Sequence, residues 1–136
     1  MIKARKLTKR FGEVEALLDL NCNIPQGCIY GLVGANGAGK STFLRLCNGI
    51  YMPDEGHVSI NGGEVFDNPS VKEHCVFVPD ELYFLPQSNL NRMALLYESM
   101  YPHFSSERFV ELSQALKLDR ARPLNTFSKG MRRQAA

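Results

Sequence analysis

Short apolar runs separated by turn residues fill the first 78 residues, and from Pro86 onward apolar positions recur at helical spacing. Residues 2–7 predict a strand. Residues 14–24 hold two shorter apolar runs, Ala16-Leu17-Leu18 and 20–24. Pro25-Gln26-Gly27 is a turn into residues 28–33, which predict a short buried strand. Phe43, Leu44, Leu46 and Cys47 give one apolar face to a helix that starts near Lys40 and ends near Asn48-Gly49. Pro53-Asp54-Glu55-Gly56 turns the chain. Residues 57–60 and 64–66 then flank Asn61-Gly62-Gly63, a strong hairpin signal. Asn68-Pro69 can cap a short helix reaching about His74, and residues 75–78 predict another strand, ended by Pro79. Further on, Ser88 can cap a helix to about Tyr101, with Met93, Leu96, Tyr97 and Met100 on one face; Pro102 ends it. Ser105 and Ser106 can start a second helix carrying Phe109, Leu112 and Leu116.

One loop in this pattern carries chemistry. Gly34-Ala35-Asn36-Gly37-Ala38-Gly39-Lys40-Ser41, followed by Thr42, is G-x-x-x-x-G-K-[ST], the phosphate-binding loop called Walker A. The glycines let the backbone curl into a nest of N–H groups facing phosphate oxygens. A helix beginning near Lys40 adds its positive N-terminal end to the same place. The Lys40 ammonium can reach β- and γ-phosphates, and the Ser41 hydroxyl can ligate Mg²⁺. The predicted order of strand, loop and helix is the one the motif requires.

Composition narrows the reading further. The chain has 136 residues and a net charge of +2, with no basic tail, so electrostatics supply no general pull toward nucleic acid. Its apolar runs are too short to span a bilayer, and the N-terminus lacks the apolar run of a signal peptide. Cys22, Cys28, Cys47 and Cys75 form no C-x-x-C pair, and buried reduced thiols are expected. His57, His74 and His103 are scattered and make no ligand-like pair.

A second motif stands near the C-terminus: Thr126-Phe127-Ser128-Lys129-Gly130-Met131-Arg132-Arg133-Gln134. Placed after a phosphate loop and a helical stretch, it makes the whole chain resemble the ATP-binding subunit of ABC transporters. The core of Ser128 and Gly130 is similar to that family's signature loop, usually Leu-Ser-Gly-Gly-Gln. Phe127-Ser128-Lys129-Gly130-Met131 looks like an export-type variant. The resemblance implies an α/β fold: a partial P-loop NTPase core with an antiparallel β subdomain, and the start of an α-helical subdomain. It implies an ATP-binding core with β subdomain over residues 1–86 and a helical subdomain over 87–136.

The same resemblance assigns residues. Residues 34–42 would hold the phosphates of ATP. Phe11 sits where the family places an aromatic ring against adenine, and stacking needs only a π-face. Asp80 stands where the family usually has a glutamine touching Mg²⁺ and the attacking water; a carboxylate can still ligate that ion. Lys40 and Asp80 would thus be the catalytic groups, and Ser41 and Asp80 the metal-side groups. Ser128 and Gly130 would contact the γ-phosphate held by an opposing subunit. The implied cofactors are ATP and Mg²⁺. The implied partners are a second ATPase subunit, identical or different, and transmembrane permease subunits; no nucleic acid is expected. The implied location is cytoplasmic, peripheral on the inner face of the cell membrane. The alternative is a non-transport ABC-type ATPase acting on ribosomes or DNA. The family's later aspartate, water-polarising glutamate and switch histidine have no counterpart before Ala136. The expectation is therefore a truncated N-terminal portion that binds nucleotide but hydrolyses it negligibly.

Overall fold

The computed structural model describes all 136 residues, Met1–Ala136. They form two compact units, Met1–Phe77 and Val78–Ala136.

The first unit is built on β1 (Ile2–Phe11), β2 (Val14–Ile24), β3 (Glu55–Ile60) and β4 (Gly63–Glu64), which form one antiparallel sheet in the order β2-β1-β3-β4. Ala4 and Leu7 are both fully buried although strict alternation would put them on opposite faces. A bulge resolves this. The β1–β3 register shifts between Arg5 and Thr8, and Lys6 there takes a φ of 45°. Gly56 lies across from the bulge with φ 72°, and a Cβ on it would come within 2.2 Å of the Arg5 and Lys6 carbonyl oxygens. Only glycine fits. Between β3 and β4, Asn61 and Gly62 take φ of 50° and 90°, as a two-residue hairpin turn demands. The hairpin is the expected one, with a shorter second strand.

Helix α1 (Lys40–Cys47) lays Phe43, Leu46 and Cys47 against Ala4, Leu7, Val58 and Val65 to make the core of this unit. It ends as the sequence indicates, at Asn48 and then Gly49 with φ 61°. A short α2 (Pro69–Lys72) follows β4.

Two expected strands are absent. Residues 28–33 and 75–78 belong to no sheet. Ile29, Val33 and Val76 are 104%, 94% and 86% exposed, and Cys28 is exposed with them. The reason is physical. A strand buried on both faces is held by hydrogen-bond ladders with neighbours, and the sheet of β1–β4 offers these segments none.

The second unit contains α3 (Leu90–Met100), α4 (Ser106–Ala115), a 3-10 turn (Leu124–Thr126) and α5 (Lys129–Ala135). Its core is Leu90, Met93, Leu118, Leu124 and Phe127, with Phe84, Phe109 and Met131 packed against it. Ser88 does not cap α3. Its hydroxyl donates to the Leu85 carbonyl at 2.6 Å, and the Asn89 side chain takes the cap by accepting from the Arg92 N–H at 2.9 Å. Ser105 caps α4 as expected. Of the predicted α3 face only Met93 is buried. Leu96, Tyr97 and Met100 remain substantially exposed, as do Leu112 and Leu116 on α4.

Candidate nucleotide site

Residues 34–39 form the loop that leads into α1. Gly39 is its pivot. It is the N-cap of α1, in the left-handed region at φ 79°, with no side chain to cap the helix. The first N–H groups of α1 therefore lack a side-chain acceptor, and no acidic residue stands in the first turn to take their place. Gly37 is also left-handed, at φ 85°, with open space around it. Gly39 is different: a Cβ there would lie 2.3 Å from the Ala16 carbonyl oxygen and 2.7 Å from Leu17 Cδ2. So one glycine opens the loop, and the other lets it pack against β2.

Lys40 folds back over the loop. Its Nζ donates to the carbonyls of Gly34 at 2.7 Å and Ala35 at 2.6 Å, and the Ala38 N–H closes the turn on the Ala35 carbonyl at 3.2 Å. The ammonium is thereby held against the backbone carbonyls of the loop. Ser41 is exposed at the start of α1. The residues fit a polyphosphate: uncapped helix donors, a fixed cation, open glycine backbone and no competing carboxylate. Behind the loop, an apolar gap of about 250 Å³ lined by Leu17, Leu20, Leu32, Val33 and Phe43 separates β2 from residues 28–33.

Phe11 closes β1 and is 44% exposed. Tyr51 makes a T-shaped contact with it, with centroids 5.3 Å apart and planes at 70°. Lys9 Nζ lies over the Phe11 ring at 5.5 Å and pairs with Asp54 at 3.0 Å. The Arg10 backbone N–H and then the Lys9 ammonium hold the Asp54 carboxyl below its ordinary range. In the sequence Asp54 reads as a turn residue, and Tyr51 is an isolated aromatic with no periodic partner.

The second unit carries the remaining candidates. Asp80 is exposed in a bend. Ser128 caps α5 by accepting from the Met131 N–H at 3.2 Å, and Gly130 is exposed in its first turn. Ahead of Ser128, Arg122 donates to Thr126 Oγ1 and to the Thr126 carbonyl, both at 2.8 Å. Its guanidinium lies 5.7 Å from the centroid of the buried Phe127 ring. Nothing in the spacing of the chain marks Arg122 as the residue that fixes this loop.

The family model described as ABC transporter matches residues 17–136. The chain belongs to the ABC transporter family. Among curated members, the ABC transporter ATP-binding protein YtrB of Bacillus subtilis (strain 168) is 29% identical over 134 residues, 98% of this chain and 46% of YtrB. The ribose import ATP-binding protein RbsA of the same organism is 30% identical, over 87% of this chain and 27% of its own length. The methionine import ATP-binding protein MetN of Protochlamydia amoebophila is 43% identical over 77 residues, 52% of this chain and 23% of MetN. The chain thus spans about half the length of YtrB and about a quarter of the others.

Solved ABC structures share the fold. An ATP-binding subunit of an ABC transporter superposes with a TM-score of 0.86 at 24% identity, covering 98% of this chain and 58% of that one. The ATP-binding cassette MJ0796, solved as a dimer in a post-hydrolysis state with ADP and Pi, gives 0.78 at 24%, covering 99% and 66%. The fold class is therefore that of a P-loop NTPase cassette, with an antiparallel sheet and a set of helices, as the resemblance implies. No helix in the structure is long and apolar enough to cross a membrane.

Proposed function

We propose that this chain is the nucleotide-binding part of an ABC transporter ATPase subunit, taking ATP with Mg²⁺. The observation that carries this is Lys40 clamped over the carbonyls of Gly34 and Ala35 at the uncapped start of α1. Residues 34–42 hold the phosphates, with Lys40 at the β and γ groups, Ser41 on the metal and Phe11 against adenine. Asp80 is a metal-side carboxylate on the resemblance alone. Ser128 and Gly130 at the start of α5 meet the γ-phosphate of a second ATPase subunit. Mg²⁺ would neutralise phosphate charge as the terminal group departs. Transmembrane permease subunits are the mechanical partners, and the location is the cytoplasmic face of the cell membrane. The Phe127-Ser128-Lys129-Gly130-Met131 variant supports export; the names of RbsA and MetN speak for import.

In this reading the subunit is completed by strands beyond those of the β1–β4 sheet. Exposed Ile29, Val33 and Val76 support that, and so does the partial coverage of YtrB. None of the residues assigned to this site would polarise the attacking water, so negligible turnover by these 136 residues is expected. Calorimetric titration with MgATP, beside a phosphate-release assay, tests both parts. Uptake that Lys40→Ala weakens at least tenfold, without turnover, is the expected result. Absence of uptake by the folded chain would refute the binding role. Robust turnover that Lys40→Ala abolishes would refute the expected inactivity.

A further inference from the structure

The aromatic contact beside Phe11 extends into a longer array. Arg45 belongs to α1, the helix that Lys40 begins, and its guanidinium lies 5.8 Å from the Tyr51 ring centroid. Tyr51 packs steeply across Phe11, with the ring planes at 70°, and Lys9 covers the Phe11 ring while held by Asp54. Asp54 also accepts from the Arg10 N–H, and its own N–H donates to the Thr8 carbonyl at 3.0 Å. The chain segment carrying Tyr51 is thus stitched to the end of β1 on either side of Lys9. Edge-to-face pairing fixes ring orientation as well as position, because the quadrupole of one ring favours a limited set of angles with the other. A cation over each ring adds to that preference.

We propose that Tyr51 is a positioning residue for purine recognition. It holds the Phe11 ring at one angle relative to α1, so that base stacking on Phe11 and phosphate binding at Lys40 occur in a single nucleotide pose. The proposal rests on the nucleotide reading above and adds to it a residue that touches the Phe11 ring rather than the ligand. Without Tyr51, Phe11 is an exposed strand-end aromatic free to change rotamer. The stacking contribution then falls while the phosphate loop is untouched. Purine nucleoside triphosphates lose affinity, and inorganic tripolyphosphate does not.

The test is calorimetry on the whole chain with MgATP and with magnesium tripolyphosphate, for the parent and for Tyr51→Leu, Tyr51→Phe and Arg45→Gln. Tyr51→Leu is expected to weaken ATP about 3–10-fold and leave tripolyphosphate unchanged. Tyr51→Phe, which keeps the ring, restores ATP affinity. Should Tyr51→Leu fail to fold, Arg45→Gln, which removes only the cation over the ring, is expected to weaken ATP alone by roughly twofold. Unchanged ATP affinity in the folded variants, equal loss of both ligands, or no rescue by phenylalanine would overturn the proposal. A parent chain that takes up neither ligand would instead overturn the nucleotide reading beneath it.

Discussion

Gly37 and Gly39 sit two residues apart in one motif, both left-handed, yet alanine should affect them very differently. At Gly37, φ is 85° and a Cβ would meet nothing within 4 Å. The cost there is the left-handed backbone alone, about 1–2 kcal/mol for an L-residue. At Gly39, φ is 79° and the same cost applies, but the Cβ would also lie 2.3 Å from the Ala16 carbonyl oxygen and 2.7 Å from Leu17 Cδ2. The carbonyl belongs to β2, which is paired with β1, so it cannot withdraw without disturbing the register around Lys9 and Leu17. Overpacking of this kind adds about 1–3 kcal/mol. Gly39→Ala should therefore be less stable than Gly37→Ala by about 2 kcal/mol, or roughly 8–16 °C in melting temperature for a unit of this size. Thermal melts of both variants, followed by far-ultraviolet circular dichroism, measure the gap. Equal melting temperatures would refute the packing argument and leave the motif's last glycine with a purely conformational role.

Asp54 has a lowered carboxyl pKa in the folded state, so its contribution is present above the ordinary carboxylate range and is lost as pH falls through the folded value. Asp54→Asn should therefore lose less melting temperature than the parent between about pH 5 and about pH 2; parallel curves would contradict this. The Cys47 thiol is pushed up to about 12, by burial first and then by the nearness of Cys22 and Cys75. Burial and the suppressed thiolate form both slow alkylation, so iodoacetamide followed by mass spectrometry at pH 8 should mark exposed Cys28 early and Cys47 only on unfolding. Equal labelling rates in the native chain would count against the buried position of Cys47.

The parts of the fold that were legible in the sequence are those decided by neighbours in the chain. Asn61-Gly62 made the hairpin, Asn48-Gly49 ended α1, and Ser105 capped α4, because each depends on residues a few positions away. The parts that were not legible depend on distant partners. The bulge at Lys6, which lets Ala4 and Leu7 share the core, is set against β3 some fifty residues on. Asn89 takes the α3 cap because Ser88 is buried and already bonded to Leu85. Phe11 was picked by resemblance, but Tyr51, Lys9 and Asp54, which hold it, come together only in three dimensions.

The phosphate loop illustrates how far local order can stand apart from the sheet that usually frames it. Residues 28–33 run into it unpaired, with Ile29 and Val33 in solvent. The loop nevertheless has its own fastenings: Ala38 to Ala35, Lys40 to Gly34 and Ala35, and Phe43 N–H to the Gly39 carbonyl at 2.8 Å. Its far end is anchored by Phe43, Leu46 and Cys47 in the core of the β1–β3 sheet, and Gly39 is seated against Ala16 on β2. Anchorage through α1 substitutes for anchorage through the preceding strand. In the proposed function, phosphate binding draws on that loop and helix. Hydrolysis needs groups held to within a fraction of an ångström by elements remote in sequence. Under the proposed function, nucleotide affinity should therefore follow the integrity of this loop and of α1.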